Sequence, residues 1–226
     1  MLSIVIPTYN ERKNIVKLIN RINQVCKKYR YEIIVVDDNS PDGTSEVVEK
    51  MKYKNLKLVK RNKKGLTSAI LDGIKETKYN MICVMDADFS HDPKYIPLMI
   101  DSLKDNDVVI ASRYSGGRTE KWPITRKIIS YAATAMIKPL TSVKDPISGY
   151  IAFNKRILSN SKINEKAPKI SLEILFKTKC RSVKEIPIVF VNRKRGKSTF
   201  MNINTILIYA RQITDIYSHS KKRTRI

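Results

Sequence analysis

Through the first 112 residues, continuous apolar runs alternate with amphipathic ones. LSIVIPT (2–8), YEIIVVDD (31–38), NLKLVK (55–60), MICVMDA (81–87) and DVVIAS (107–112) are short, apolar and rich in Val and Ile, and each predicts a buried strand. Between the first two, ERKNIVKLINRINQVCKKY places Ile15, Leu18, Ile19, Ile22 and Val25 at spacings of three and four, which predicts an amphipathic helix. NSPDGTSEVVEKM predicts a turn running into a helix and GLTSAILDGIKE a helix. PKYIPLMIDSLK predicts another, opened by Pro93 in its first turn. Continuously apolar strands separated by helices imply an α/β fold, a mostly parallel sheet covered by helices on both faces.

After Ser112 the rhythm changes. RYSGGRTEKWP predicts a loop, and ITRKIISYAATAMIKPL an amphipathic helix over 124–140 that carries Arg126, Lys127 and Lys138. SGYIAF and VKEIPIVFV predict strands, ISLEILFKTK a helix and NRKRGKST a basic loop. A last helix over 201–218 leads to the basic tail KKRTRI. Neither an internal repeat nor a Gly/Ser linker interrupts the chain, so 1–226 is expected to form a single domain with a specialised C-terminal half.

Composition sharpens that division. With 42% hydrophobic residues the chain can bury a core. The formal net charge is +23, and it is uneven. Residues 1–110 carry 19 Lys/Arg and 15 Asp/Glu, a net of +4, whereas residues 111–226 carry 25 and 6, a net of +19. The second half therefore predicts an anionic partner or surface, nucleic acid and acidic lipid both qualifying, against a merely solvated basic face. Cys26, Cys83 and Cys180 are isolated and odd in number, which fits a reducing compartment. No N-terminal signal is evident, and apolar runs such as INTILIYA fall short of the roughly 18 residues that a membrane span requires.

Polar groups gather where the predicted strands end: Pro7-Thr8-Tyr9-Asn10-Glu11, Asp37-Asp38-Asn39-Ser40, Asp86-Ala87-Asp88 and Ser112-Arg113. In a parallel sheet these ends share one edge, the edge at which open α/β folds bind ligands. Neither GxGxxG nor GxxxxGK[ST] is present, so glycine-nest recognition of phosphate is excluded. An Asp-x-Asp pair alone is as compatible with a turn as with a metal site. At a strand end facing VVDDNSPDGT, it suits a hard cation, Mg²⁺ or Mn²⁺, whose other positions a diphosphate fills.

IVIPTYNERKNI, VVDDNSPDGT, MDADFSHDP, ASRYSGG with Trp122 and RKIIS beyond it, DPISGYIAF and EIPIVFVNRKRGKST resemble, in this order, family 2 inverting glycosyltransferases of the GT-A fold. DNSPDGT together with DADFSHDP is most similar to the dolichol-phosphate mannose synthases, the polyprenyl-phosphate mannosyltransferases. The likeness covers residues 2 to about 200. It implies a nucleotide- and metal-binding half over 1–112, an acceptor-binding half over 113–200 and a C-terminal amphipathic helix with basic tail over 201–226. By the same resemblance, Pro7, Tyr9, Glu11, Val36 and Asp38 hold the base and ribose. Asp86, Ala87 and Asp88 meet the sugar-nucleotide, with Asp86, Asp88 and Ser90 on the metal. Arg113, Lys169, Arg193 and Lys197 also serve the nucleotide-sugar, and Arg113, Arg126 and Ser130 the acceptor phosphate. Asp88, Arg113 and Arg126 carry the catalytic role. One departure is Thr199, standing after Ser198 where relatives often have Lys, so that Lys197 would have to substitute.

Other residues admit plainer readings. His91 reads as a loop or cap residue, and Asp92 as the N-cap before Pro93. Glu173 is either solvated or orients a basic group, and Asp145 is either a turn residue or an acceptor-site positioner. Trp122 either packs the loop or sits at a headgroup boundary.

The implied reaction is transfer of mannose from GDP-mannose to dolichyl or polyprenyl phosphate with inversion. A phosphate acceptor, with a second pKa of about 6, is already largely dianionic near neutrality, so a general base is not expected. The cationic half is expected to lie on an anionic membrane surface at the cytoplasmic face of the cell or ER membrane, docked peripherally or through a small membrane-anchoring subunit. Two rivals are a UDP-sugar-dependent transferase and a basic nucleic-acid-binding module. The second lacks RNA-recognition, KH or helix-turn-helix signatures and leaves the acids without a role.

Overall fold

The structure, a computed structural model, describes residues 1–192 and 203–220. A seven-stranded sheet has the order β3-β2-β1-β4-β7-β5-β8, formed by β1 (Leu2–Thr8), β2 (Tyr31–Asp37), β3 (Leu56–Lys60), β4 (Met81–Val84), β5 (Val108–Ser112), β7 (Ile151–Asn154) and β8 (Val183–Pro187). All pairings are parallel except those of β7, which lies antiparallel between β4 and β5. Because β7 reverses direction between two strands that agree, the carboxyl ends of β1, β2, β4 and β5 still share one edge.

Both faces of the sheet are covered, as the unbroken apolar strands require. On one face lie α1 (Arg12–Val25), α2 (Thr44–Glu49) and α4 (Ile96–Ser102), where Ile15, Leu18, Ile19 and Ile22 of α1 meet Ile4, Ile6 and Val35. On the other lie α3 (Leu66–Lys75), α5 (Ile124–Ala135), α6 (Ile170–Lys177) and α7 (Ile203–Ser220), packed on Val5, Val36 and Ile110. Two Tyr hydroxyls tie α7 to α5: Tyr209 donates to the Ala133 carbonyl and Tyr217 to that of Met136, each at 2.8 Å.

Three local expectations need correction. VKEIPIVFV is two strands in two sheets, β8 and β9 (Val189–Val191), broken after Pro187. The expected loop before Trp122 contains β6 (Arg118–Glu120), paired in parallel with β9. The turn into β6 is tight: a Cβ on Gly117 would stand 2.2 Å from the Ser112 carbonyl oxygen. The helix predicted to Leu140 ends at Ala135, followed by one 3₁₀ turn over Lys138–Leu140, where Pro139 has no N–H to continue an α-helical ladder.

Candidate active site

β1 and β4 pair from Leu2↔Met81 to Val5↔Val84, and the Met85 N–H still reaches the Val5 carbonyl at 3.2 Å. Since main-chain polar groups alternate sides along a strand, the next residue of β1 directed at β4 is Pro7, which has no N–H. The ladder stops there, the chain after β4 turns away, and a crevice opens between the ends of β1 and β4. Proline is tolerated in this interior strand because the donor it lacks faces the gap.

The acidic loop begins at that point. The Asp86 carboxylate is 38% exposed and the Asp88 carboxylate is buried, its Oδ1 accepting the Ser90 N–H at 2.9 Å. Ala87, between them, packs into the core. Phe89 adopts φ 61°, a left-handed conformation that an aromatic residue rarely takes, and lines a separate groove of about 680 Å³ with Lys17, Arg21 and Val191. Ser90 Oγ is buried and has no hydrogen-bond partner among the described residues. Two carboxylates and an orphaned hydroxyl on one turn form a hard-oxygen donor set, which fits Mg²⁺ or Mn²⁺.

His91 lies in the loop, as its sequence context implies, and it is buried there, its ring stacked on Tyr150 at 4.9 Å and edge-on to Phe190 at 5.4 Å. Its Nδ1 accepts the Asp86 N–H at 3.0 Å, and burial pushes its pKa below the usual imidazole value. Asp92 does cap the 3₁₀ turn at Pro93–Tyr95, accepting the Lys94 N–H at 2.9 Å.

At the end of β2 the two aspartates divide their work. Asp37 is fully buried. Burial alone would raise its pKa, yet hydrogen bonds from Ser40, Thr8 and Ser45 outweigh burial and bring it below the ordinary value. Asp38 accepts Arg61 Nε at 2.7 Å and the Gly65 N–H at 3.0 Å. Arg61 is buried as well and also reaches Asp72, Ser68 and the carbonyls of Lys63 and Gly65, so one cation folds the loop after β3 against the crevice. No local pattern singled out Arg61. Tyr9 is 44% exposed at the rim, with Lys64 Nζ 4.8 Å from its ring centroid. Glu11 Oε2 accepts from Asn14, and the Glu11 N–H donates to Thr44, which latches the loop after β1 to DNSPDGT. The Val36 side chain points away from the crevice: a Cβ on Gly73 of α3 would lie 2.8 Å from it.

Arg113 follows β5 and is buried. It forks onto the fully buried Asp145 through Nε (2.8 Å) and Nη2 (2.6 Å), and its main-chain N–H donates to the same carboxylate at 2.8 Å. This settles Asp145 as the residue that orients Arg113. Trp122 packs inside, between Arg126 at 4.2 Å and Arg113 at 5.4 Å, and edge-on to Phe190 at 5.3 Å. Arg126 also donates to Asn192. Ser130 on α5 accepts the Tyr114 hydroxyl at 2.8 Å.

Lys169 lies at the start of α6, where burial first, and then the repulsion of Arg113 and Arg126, brings its pKa down to about 8 against the attraction of Asp86 and Asp145. Gln212 of α7 fixes the Lys169 main chain and bonds Glu173, which is fully buried and ion-paired to Lys177. Arg193 and Lys197 lie outside the described residues.

Comparison with known proteins bears on this arrangement. The chain is 41% identical over 219 residues to the dolichol-phosphate mannosyltransferase of Pyrococcus furiosus, covering 93% of this chain and 62% of that protein, so it spans less than two thirds of that relative. It is 34% identical to the dolichol-phosphate mannosyltransferase of Saccharomyces cerevisiae, over 95% of this chain and 86% of that one. In fold it is similar to mannosyl-3-phosphoglycerate synthase from Rubrobacter xylanophilus (TM-score 0.75, 15% identity, 100% of this chain and 77% of that). Glucosyl-3-phosphoglycerate synthase from Mycobacterium tuberculosis is similar too (TM-score 0.69, 17% identity, 99% and 81%). These neighbours share the GT-A fold. The pattern of Glycosyl transferase family 2 matches residues 3–161, which span the strand ends, the acidic loop and the Arg113–Asp145 fork. With that match and full-length relatives above 30% identity, the chain belongs to glycosyl transferase family 2 and is a glycosyltransferase.

Proposed function

We propose that the chain transfers mannose from GDP-mannose to dolichyl or another polyprenyl phosphate, with inversion and with a divalent metal, at an anionic membrane surface. The observation that carries the reading is the shared sheet edge at which β4 runs into Asp86 and Asp88 and β5 into Arg113, whose guanidinium Asp145 holds. The names of the 34–41% identical relatives supply donor sugar and acceptor class.

In this reading Asp86 and Asp88, with Ser90, hold the metal. The M. tuberculosis structural neighbour was solved with Mn²⁺. When bound, the metal offsets the charge of the donor diphosphate. Pro7, Tyr9, Glu11 and Asp38 border the nucleoside, with Val36 contributing main chain. A phosphate oxygen of the acceptor attacks the anomeric carbon as the bond from that carbon to the diphosphate breaks, and the electron pair leaves with the nucleotide. The acceptor is already ionised, so no side chain has to remove a proton. What the chain must overcome is repulsion between two anions. Arg126 and Lys169, together with Arg113 held in place by Asp145, meet that charge.

The acceptor's lipid is accommodated by α5 and α7. Ile124 (73% exposed), Ile128, Tyr131 and Met136 on α5, with Ile206, Leu207 and Ile208 on α7, present apolar side chains beside Lys127 and Lys138. Among the described residues no helix is long and apolar enough to cross a membrane. An apolar face flanked by lysines suits a helix lying in the headgroup region.

The test is transfer to polyprenyl phosphate from GDP-mannose, UDP-glucose and UDP-GlcNAc, each with and without EDTA, on vesicles of neutral or anionic lipid. Transfer from GDP-mannose alone, abolished by EDTA and enhanced by anionic vesicles at low salt, is expected. Transfer only from a UDP-sugar overturns the donor, and EDTA-resistant transfer overturns the metal.

A further inference from the structure

The ladder between β4 and β7 ends at Val84↔Ile151. Continued by two residues, its antiparallel register would set Gly149 opposite Asp86. That ladder position is filled by His91. A Cβ on Gly149 would lie 3.3 Å from His91 Cε1 and 3.8 Å from Asp86 Oδ2, so a side chain there would press on the imidazole lodged between the two chains. His91 Nδ1 then takes the Asp86 N–H, the donor that would otherwise have gone to a strand partner. The six-residue turn so closed, 86–91, contains Phe89 in its unfavourable left-handed conformation, and a strained turn persists only when its surroundings hold it. The ring supplies that hold, clamped between Tyr150 and Phe190, while the Tyr150 hydroxyl donates to the Asp92 carbonyl at 3.2 Å on the far side of the turn. Phe190 in turn meets Trp122, on whose ring Arg126 is stacked. An unbroken column, Tyr150–His91–Phe190–Trp122–Arg126, thus runs from the acidic loop to the cationic half.

We propose that His91 is a positioning residue: through Nδ1 it fixes where the Asp86 carboxylate stands, and through its ring it sets the acidic loop at a fixed separation from Arg126. The inference rests on the reading of Asp86 and Asp88 as metal ligands and assigns His91 no contact with metal or substrate. Outer partners that orient metal ligands typically contribute 10–100-fold in metal affinity.

Substitutions separate the acceptor from the ring. His91→Phe keeps a ring between Tyr150 and Phe190 but removes the acceptor. His91→Asn removes the ring but places Oδ1 where Nδ1 was, one bond beyond Cγ. The readout is Mn²⁺ affinity in the presence of GDP, titrated by electron paramagnetic resonance, alongside the Tm of the metal-free protein. His91→Phe is expected to bind Mn²⁺ about 10-fold more weakly, and His91→Asn to stay within about 3-fold of the parent while losing more Tm. In turnover, His91→Phe is expected to raise the Mn²⁺ concentration needed for half-maximal rate with a smaller change in kcat. If His91→Phe does not fold, His91→Gln, whose acceptor sits one bond too far out, replaces it with the same expectation. Equal Mn²⁺ affinity in His91→Phe and the parent, or equal loss in His91→Phe and His91→Asn, overturns the proposal. If the parent itself binds no Mn²⁺ with GDP, the metal reading falls and the proposal with it.

Discussion

The two halves of the chain handle charge in opposite ways. In the first, acids are plentiful and are settled before any ligand arrives: Asp37 by three hydroxyl-bearing residues, Asp38 by Arg61 and a main-chain N–H, Asp42 by Arg12 and Thr44. In the second there are six acids, and five are committed to holding the fold. Glu120 pairs with Arg118, Asp145 with Arg113, and Glu173 and Asp215 with Lys177, while Glu185 accepts the N–H groups of Lys144 and Asp145. The remaining positive charge there has little to meet it from within the half. One side therefore presents fixed carboxylates, which suit a cation, and the other an excess of cations, which suits anions. Solvation in a pre-set polar frame, rather than rearrangement on binding, is what such an arrangement offers an ionic reaction.

Each side of that contrast can be broken separately. Asp88→Ala strikes the acidic side and is expected to lower transfer by about 10³-fold or more, about 4 kcal/mol of barrier at 1.36 kcal/mol per decade. Initial rates measure it, and an unchanged Tm shows that the fold survives. Turnover at the parental rate would remove Asp88 from the site. Asp145→Ala strikes the cationic side by leaving Arg113 buried without its carboxylate, which destabilises by about 3 kcal/mol. Urea unfolding at neutral pH is the measurement, and a loss below about 1 kcal/mol would mean that the Arg113 charge is solvated after all.

The seam between the halves is probed by Lys169. Its folded pKa of about 8 lies below the 10.5 of a free lysine. The unfolded chain therefore binds more protons between those values, and stability rises as pH climbs from 8 to 10.5. Lys169→Met is expected to raise the Tm of the metal-free protein by roughly 5 °C at pH 7, with the gain gone near pH 10.5. The same variant should bind GDP less tightly at pH 7. A Tm gain independent of pH would show that the lysine's bulk, not its charge, is what strains the fold.

Much of the site was legible because its signals are local. Apolar strands followed at once by acids announce a parallel sheet edge, and Asp37, Asp38, Asp86, Asp88 and Arg113 all lie within four residues of a strand end. What escaped was pairing over distance. Arg61 meets Asp38 across 23 positions, Arg113 meets Asp145 across 32, and His91 stacks on a tyrosine 59 positions later. Nothing near His91 records that a glycine and a tyrosine will arrive from an antiparallel strand. The β6–β9 pair escaped for a related reason: three-residue strands carry too little periodicity to be seen. That Val36 belongs to a buried strand was legible, yet the inward aim of its side chain depends on Gly73, whose missing side chain admits it.

Pro7 bears on motion as well as on shape. Strands elsewhere in the sheet can part only by breaking main-chain hydrogen bonds, each with an exchangeable amide to report the event. At the crevice mouth no such amide exists on β1, so widening the gap between β1 and β4 sacrifices no ladder bond beyond Val5. The entrance can breathe while the sheet below it stays zipped, and hydrogen exchange would register protection up to Met85 and a silent hinge above it.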